Sequence, residues 1–312
     1  MRRLAAAGCD VRAIARNSSN LQPFADLAVT WFRGDNYNPE TVAQAARDVE
    51  YVFNLAAAYR DAGITDDIYR KVHVEGTQLL ARAVLRSTGF KRFVHVSTVG
   101  VHGHIASPPA DENYPFAPGD VYQRTKAEAE NWFVQFARDN ELPFSVIRPA
   151  AIYGPGDRRL LKIFKMASRP LYPVLGNGKC LYHLIHVEDL VQGILLAAVH
   201  PAAQGEIFIC GNPEPTSLEE ITQIIAEALG RKTAAIRLPV WPFYAAGALC
   251  ETVCLPLGLT PPVYRRRVAF YTKDRAFNTS KIRSRLGFAP RFSNREGLTE
   301  TARWYRQQGW IK

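Results

Sequence analysis

Two side chains whose types and spacing permit proton transfer are Tyr122 and Lys126, four residues apart. On a helix this spacing puts both on one face, so the lysine ammonium lies near the tyrosine phenol. A phenol ordinarily has a pKa of about 10, and a neighbouring positive charge stabilises the phenolate and lowers that pKa. Tyr122 would then serve as a general acid or base toward an alcohol. The same spacing also arises by chance, so it needs support from elsewhere in the sequence.

Two further segments place polar groups where ligands bind to open α/β sheets. Ser97 and Thr98 follow an apolar run that predicts a strand, and such sheets bind ligands just outside the carboxyl ends of their strands. A hydroxyl there can hydrogen-bond a substrate oxygen, although Ser and Thr are also common in turns. Residues 148–149, Arg-Pro, end another predicted strand and lead through Tyr153 into the turn 154–156. That turn either closes over a flat ring or only reverses the chain.

The elements that must position these residues alternate between strand and helix. Strands are predicted at 11–15, 28–32, 51–56, 92–97, 144–148, 181–186 and 206–210, and helices at 39–47, 68–85, 121–140, 188–199, 218–229 and 295–307. This alternation predicts βαβ units and a parallel sheet covered on both faces. The fold class is therefore α/β, a Rossmann-like doubly wound parallel sheet with a smaller mixed α/β C-terminal lobe.

The beginning of the chain departs from the usual doubly wound pattern. Such a fold opens with a strand, a glycine-rich turn and a helix whose N-terminus holds a pyrophosphate. Here residues 2–7 resemble only the end of such a helix, Gly8 resembles its C-cap, and no Gly-x-Gly-x-x-Gly is present. We expect a sheet that lacks its first, central strand and a chain that, as given, binds no dinucleotide and is inactive. A late-started gene model explains this better than a chain that has lost cofactor binding.

Taken in order, the motifs resemble the extended short-chain dehydrogenase/reductase superfamily, also called NAD-dependent epimerase/dehydratases. The resemblance extends over nearly the whole chain and rests on Asp35, 54–57 (Asn-Leu-Ala-Ala), 74–77 (Val-Glu-Gly-Thr), 97–98, Tyr122 with Lys126, 148–149 with 153–155, and 186–190. It implies a dinucleotide-binding part over residues 1–155, and a part over 156–312 that completes the sheet and forms a substrate lobe.

The resemblance also implies roles for individual residues. Thr98 would hold the substrate oxygen, Tyr122 would be the general acid/base, and Lys126 would bind the nicotinamide ribose and depress the Tyr122 pKa. The remaining cofactor-binding residues would be Arg16, Asp35, Ala56, Ala57 and Tyr153. Asp189 is interpreted as a structural residue at a helix start.

Two departures from the family pattern concern Arg16 and His73. NAD-preferring members carry Asp at the end of the family's second strand, which corresponds to the strand predicted at 11–15 in this chain. An acid at that position bonds the ribose 2′-hydroxyl, whereas a cation there accommodates a 2′-phosphate. This chain has Arg16, which favours NADP over NAD. His73 stands where the family often has Asn, and it receives no role. His102 and His104, in the loop after a predicted strand, are interpreted as surface residues.

Composition limits the remaining classes of function. The net charge of +10 comes from residues 263–312, with 13 Lys/Arg against 3 Asp/Glu, so a general nucleic-acid binder is not expected. Five cysteines without a Cys-x-x-Cys pair predict neither disulfides nor a metal site, and favour the cytoplasm. The apolar segment 238–259 contains three prolines and a glutamate, which favours a buried or interfacial helix over a membrane span.

The leading functional hypothesis is an NAD(P)-dependent oxidoreductase acting on a secondary alcohol or ketone. The sequence around 148–157 looks more like the 3β-hydroxysteroid dehydrogenase and dihydroflavonol reductase branches, whose substrates are apolar. A nucleotide-sugar epimerase/dehydratase is the first alternative, and a non-catalytic nucleotide-binding or regulatory protein is the second. The expected partner is a small molecule, either an apolar alcohol or ketone or a nucleotide sugar, with peripheral membrane contact and a homodimer left open.

Overall fold

The computed structural model describes residues 1–58, 65–254 and 272–311, together with Leu257, Leu259, Pro262 and Val268. The chain forms two compact units. Unit 1 contains residues 1–103, 116–148 and 194–207, and unit 2 contains 104–115, 149–193 and 208–312. A single boundary at residue 155 would place residues 104–115 in the first part of the chain and 194–207 in the second. In the structure, 104–115 belong to unit 2 and 194–207 to unit 1.

Unit 1 carries the parallel strands that the apolar runs predict. Its strands are β1 (Val11–Ala15), β2 (Val29–Arg33), β3 (Tyr51–Asn54), β4 (Arg92–Val96) and β5 (Phe144–Pro149, which ends in unit 2). β1 pairs in parallel with β2, while β3, β4 and β5 pair in parallel within a four-stranded sheet of order β10–β5–β4–β3, in which β10 is Glu206–Cys210. β4 is buried at every position, as expected for a strand covered on both faces.

β1 and β3 are not hydrogen-bonded to each other in the part of the chain that the structure describes, so the sheet is divided as the sequence predicts. The helices of unit 1 are α1 (Arg2–Ala6), α2 (Pro39–Ala45), α3 (Asp66–Arg70), α4 (Gly76–Val84) and α5 (Val121–Asp139). α2 contacts β1, β2 and α4, and α4 contacts α5. The core between helices and sheet is apolar and centred on Phe93 and Phe133.

A π-helical turn, Lys71–Glu75, connects α3 to α4, so residues 66–84 form one helical segment with a widened middle. The sequence predicts a single helix over 68–85, because the apolar positions keep the ordinary helical period on both sides of the turn. The π turn is the one irregularity in this segment, and π turns inside helices are frequent at functional sites.

Unit 2 is built from short strand pairs and helices. Its strands are β6 (Ala151–Tyr153), β7 (Leu171–Leu175), β8 (Leu181–Tyr182), β9 (Leu184–His186), β11 (Thr216–Ser217) and β12 (Ala234–Leu238). β6 pairs with β9 and β7 with β12 in parallel, and β8 pairs with β11 antiparallel. The predicted strand 181–186 is therefore two strands, which have different partners.

The helices of this half are α6 (Leu161–Ala167), α7 (Val187–Val199, which ends in unit 1), α8 (Leu218–Ala228), α9 (Val240–Cys254), α10 (Ser280–Leu286) and α11 (Asn294–Gln307). α8 packs against α6 and α11 around a core that contains Phe164, Leu218 and Tyr305. α9 has only Gly247 buried and exposes Trp241 and Leu249. No helix among the described residues is long and apolar enough to cross a membrane.

Candidate active site

Seven of the eight predicted site residues lie in unit 1 and follow the carboxyl ends of its strands or stand on α5. Arg16 directly follows β1, Asp35 comes two residues after β2, Ala56 and Ala57 follow β3, and Thr98 comes two residues after β4. Ligands of open α/β sheets bind at these strand ends. Tyr153, the eighth residue, lies in unit 2.

The loop after β1 is held by Arg33, whose Nη1 donates to the carbonyl oxygens of Arg16 and Ser19, both at 3.0 Å. The Arg16 side chain itself is exposed. Asp35, after β2, accepts a hydrogen bond from Tyr37, and burial and then the Asp35 charge raise the pKa of that phenol. These contacts fix the loop and leave the Arg16 guanidinium open to a ligand.

Thr98 ends the extended chain after β4 and caps a short 3₁₀ turn, Val99–His102. Its Oγ1 accepts a hydrogen bond from the Gly100 N–H at 3.0 Å. The hydroxyl proton is therefore available to donate, since a hydroxyl can accept and donate at once. The side chain is half-buried, so a ligand can reach it.

Lys126 is buried in α5, on the same helical face as Tyr122, and has 3% of its surface exposed. Its Nζ donates to the Val96 carbonyl oxygen at 2.7 Å, which ties the ammonium to the carboxyl end of β4. Burial lowers the pKa of Lys126 to about 8, and the nearby carboxylate of Glu130 opposes this shift. Because the pKa stays above 7, the ammonium is the main form at neutral pH.

Glu130 lies two turns from Tyr122 on the same face and pairs with Arg148 of β5. Arg148 Nε is 3.0 Å from Glu130 Oε1, and both side chains are almost fully buried. His102 Nε2 lies 3.2 Å from Arg148 Nη1, and the guanidinium stacks on Phe116. The interpretation of His102 as a surface residue is wrong: it is fully buried, because the Arg148–Glu130 pair offers its ring nitrogen a charged partner.

The π turn brings further polar groups to this part of unit 1. Thr77 Oγ1 donates to the His73 carbonyl oxygen at 2.6 Å and accepts from Asn54 Nδ2 at 2.9 Å. Asn36 Nδ2 donates to the Val72 carbonyl oxygen at 2.8 Å. Sequence reasoning assigned no role to Asn36, Thr77, Glu130 or His73. The available signals were the Val-Glu-Gly-Thr motif at 74–77, the eight-residue interval from Tyr122 to Glu130 and the replacement of Asn at position 73.

In unit 2, Tyr153 is fully buried among core residues, and its ring lies edge-on to His186 with 5.4 Å between the centroids. Burial raises the pKa of its phenol above the ordinary value. Its assignment to the cofactor stays a prediction. Asp189 accepts hydrogen bonds from the backbone N–H groups of Arg291, at 2.8 Å, and Phe292, at 3.2 Å, which agrees with a structural role.

The residues of unit 1 fit the two ribose ends of a dinucleotide. The Arg16 guanidinium and Asp35 stand after neighbouring parallel strands, where the adenine ribose of such a ligand binds. Near Thr98, the Ser97 hydroxyl is buried and has no hydrogen-bond partner among the described residues, which leaves a polar atom for a ligand. A glycine-rich turn that would hold the pyrophosphate is not in the sequence.

Comparisons with known proteins agree with this architecture. A 3β-hydroxysteroid-dehydrogenase/decarboxylase (isoform 2) of Arabidopsis thaliana is 30% identical over 293 residues, which cover 88% of this chain and 51% of that protein. The chain thus spans about half the length of this relative. A UDP-glucose 4-epimerase of Vibrio cholerae is 28% identical over 247 residues, covering 77% of this chain and 70% of the epimerase.

Among solved structures, the protein gox2253 superposes with a TM-score of 0.84 and 27% identity, covering 100% of this chain and 94% of that one. This superposition confirms the predicted α/β, Rossmann-like fold. Residues 1–211, which include every predicted catalytic residue, match the family model described as the NAD dependent epimerase/dehydratase family. The chain therefore belongs to the NAD-dependent epimerase/dehydratase family, as its motifs predict.

Proposed function

We propose that this protein is an NAD(P)-dependent oxidoreductase that acts on a secondary alcohol or ketone, with Tyr122 as the general acid/base. The observation that carries the proposal is the buried Lys126 ammonium, on the Tyr122 face of α5 and bonded to the strand end beside Thr98. A buried lysine is costly to the fold, so its place on the Tyr122 face of α5, bonded to the strand end that precedes Thr98, points to chemistry rather than to packing.

Each residue has a defined task in this proposal. The Thr98 hydroxyl donates a hydrogen bond to the substrate oxygen and fixes its position. In alcohol oxidation the Tyr122 phenolate takes the hydroxyl proton, and in ketone reduction the phenol returns it. The Lys126 ammonium stabilises the phenolate and hydrogen-bonds the nicotinamide ribose. When bound, the nicotinamide supplies the acceptor or donor of the hydride.

For the cofactor we propose NADP in preference to NAD. The exposed Arg16 guanidinium at the end of β1 can pair with a 2′-phosphate, while Asp35 would lie at the adenine and Ala56 and Ala57 would line the cofactor cleft. The family description names NAD, so the choice between the two rests on Arg16.

Arg16→Ala tests this preference. Charge-assisted bonds to a phosphate contribute about 1.5–3 kcal/mol, so in a chain that carries the glycine-rich turn NADPH affinity should fall roughly ten- to a hundredfold while NADH affinity stays unchanged. Arg12, an exposed arginine of β1, provides the control Arg12→Ala, which should alter neither affinity. Equal wild-type affinities for NADPH and NADH that Arg16→Ala leaves unchanged would refute the assignment.

For the substrate we propose an apolar alcohol or ketone. Two observations support it: the similarity to a 3β-hydroxysteroid dehydrogenase, and α9, which exposes 74% of Trp241 and 66% of Leu249. An exposed apolar helix with aromatic residues suits peripheral contact with a membrane from which such a substrate is taken. A nucleotide sugar is the second candidate because of the similarity to a UDP-glucose 4-epimerase. Residues 265–267, three arginines that would bind its diphosphate, lie outside the described residues.

The experiment is to compare wild type and Tyr122→Phe on a 3β-hydroxysteroid and on UDP-glucose, following nicotinamide absorbance and product formation. The phenylalanine keeps the ring and removes the hydroxyl, so turnover by a chain that carries the glycine-rich turn should fall about a hundredfold or more. Tyr51→Phe, at the amino end of β3 and so at the other end of the strand from the site, is the matched control and should keep wild-type turnover. Wild-type turnover by Tyr122→Phe on a substrate that the protein accepts would overturn the acid/base assignment.

A further inference from the structure

The π turn between α3 and α4 places His73 in the interior of unit 1, where its side chain is 1% exposed. A π turn leaves backbone carbonyl groups without their usual helical partners. Here the Val72 carbonyl accepts from Asn36 and the His73 carbonyl accepts from Thr77. Side chains outside the turn therefore satisfy two of its backbone carbonyl groups.

The hydrogen bonds of the ring define its tautomer. The Ala58 N–H donates to His73 Nε2 at 3.0 Å, so this nitrogen is the acceptor. A neutral imidazole has one N–H, which must then be on Nδ1, 2.8 Å from Thr125 Oγ1. The Thr125 hydroxyl in turn donates a hydrogen bond to the Val121 carbonyl oxygen at 2.9 Å. The bonds run in one direction, from the loop after β3 to the first turn of α5.

The imidazole cannot be the acid or base of the reaction at neutral pH. Burial, together with the Lys126 charge, lowers the pKa of His73 to about 3. A proton added to Nε2 would also point at the Ala58 N–H, so two hydrogen-bond donors would face each other and the present hydrogen bond would be lost. Among the described residues, the other polar side chains that interact with the ring are those of Thr125, Tyr69, Tyr122, Lys126 and His95, and none of these is a carboxylate.

The ring also contacts the proposed catalytic tyrosine directly. His73 and Tyr122 lie edge to face, with 5.3 Å between centroids and an interplanar angle of 85°. Thr125 is one turn away from Tyr122 on the same helix. His73 thus contacts the Tyr122 ring directly and is also linked to the helix that carries Tyr122 by its hydrogen bond with Thr125.

We propose that His73 is a positioning residue, which holds the Tyr122 ring by joining the loop at Ala58 to α5 through Thr125. The catalytic part of this inference rests on the proposed role of Tyr122, whereas the geometric part does not. A misplacement of about 1 Å is enough to cost on the order of a hundredfold in rate.

Thr125 offers the matched pair of variants, since Thr125→Val removes the acceptor of the Nδ1–H and Thr125→Ser keeps it. In protein with isotope-labelled tyrosine and histidine rings, NMR should show the His73 Nδ1–H tautomer without titration from about pH 5 to about pH 8. The Tyr122 ring signal, assigned by its loss in Tyr122→Phe, should move in Thr125→Val and not in Thr125→Ser. The Tyr244 signal should stay unchanged in all variants.

Turnover of a 3β-hydroxysteroid with NADP⁺, by a chain that carries the glycine-rich turn, supplies the second measurement. In Thr125→Val and His73→Asn, kcat should fall about tenfold to a hundredfold with KM within about twofold, while Thr125→Ser keeps wild-type kcat. If His73→Asn does not fold, Thr125→Val carries both measurements.

The outcomes separate the two proposals. An unmoved Tyr122 signal in Thr125→Val, or the opposite His73 tautomer, overturns the positioning role whatever the activity. Wild-type kcat in Thr125→Val beside an inactive Tyr122→Phe also overturns it and leaves the proposed function standing. Wild-type turnover by Tyr122→Phe instead refutes the proposed function, while the NMR result still decides whether His73 positions the ring.

Discussion

Lys126 combines a functional placement with a cost to the fold. Its ammonium has one described hydrogen bond, to Val96, and burial lowers its pKa from 10.5 to about 8. Between these two values the unfolded chain binds more protons than the folded protein, so stability rises with pH across that window. Below about pH 8 the folded protein carries the whole penalty, about 3 kcal/mol at roughly 1.4 kcal/mol per pKa unit.

Lys126→Met should therefore abolish turnover and stabilise the protein. At about pH 7 we expect a gain on the order of 2 kcal/mol, because the lost bond to Val96 offsets part of the penalty. The gain should shrink between pH 8 and 10.5, because the stability of the wild-type protein rises over this range. Urea unfolding at several pH values measures this, with Arg124→Met, which removes an exposed charge from the same helix, as the control. A destabilised Lys126→Met at neutral pH would contradict the argument.

Residues with a local signal could be proposed from the sequence, whereas contacts that depend on packing could not. The Tyr122–Lys126 interval and the hydroxyl at Thr98 are visible in the chain itself. The burial of His102 is not, because it depends on Arg148, 46 residues away. The role of His73 depends on Thr125, 52 residues away.

At the scale of elements, the π turn explains part of the Val-Glu-Gly-Thr segment at 74–77. Gly76 allows Asn36 to reach the Val72 carbonyl, since a Cβ at Gly76 would lie 2.1 Å from Asn36 Nδ2. Thr77 caps the next carbonyl, that of His73. The glycine and the threonine thus both sustain the irregular turn that orients His73.

Gly76→Ala should displace Asn36, leave a buried carbonyl without its partner and destabilise the protein by about 1–3 kcal/mol. In the Asn36→Ala background the overlap with the Asn36 side chain is gone and only the backbone oxygen of residue 36, 3.1 Å from that Cβ, stays close, while alanine is the better helix former by about 1 kcal/mol. There Gly76→Ala should cost less than in the wild-type background. Chemical unfolding of wild type, both single variants and the double variant gives the coupling between the two sites. Equal effects of Gly76→Ala in both backgrounds would show that Asn36 does not hold the turn.

The long periodic elements were predicted to within a few residues, as for α5 and α8. The short strands β7 and β12 were missed, because Pro173 interrupts one and the other is mostly exposed. The segment 181–186 was predicted as one strand, since an apolar pattern does not reveal that β8 and β9 pair with different strands. Pairing and the π turn depend on tertiary contacts that local periodicity does not encode.

At the scale of the whole molecule, both units contain buried histidines that resist protonation. His73 and His95 lie in unit 1, and His183 and His186 in unit 2. Burial is the largest cause of the lowered pKa in all four. An unfolded histidine has a pKa of about 6.5, so below that value the unfolded chain takes up protons that the folded protein excludes. Stability is therefore lost as the pH falls below about 6.5.

The denaturant midpoint should consequently fall between about pH 7.5 and about pH 5.5, a range in which ordinary carboxylates stay ionised. Each buried histidine contributes up to about 1.4 kcal/mol per pH unit. His95→Phe should reduce this dependence by one such contribution, because the ring keeps its packing against Phe133 and no longer titrates. His200→Gln is the control, since His200 lies partly exposed at the end of α7. A midpoint that does not change with pH in wild type would refute the link between the buried histidines and acid sensitivity, and an unchanged slope in His95→Phe would remove His95 from it.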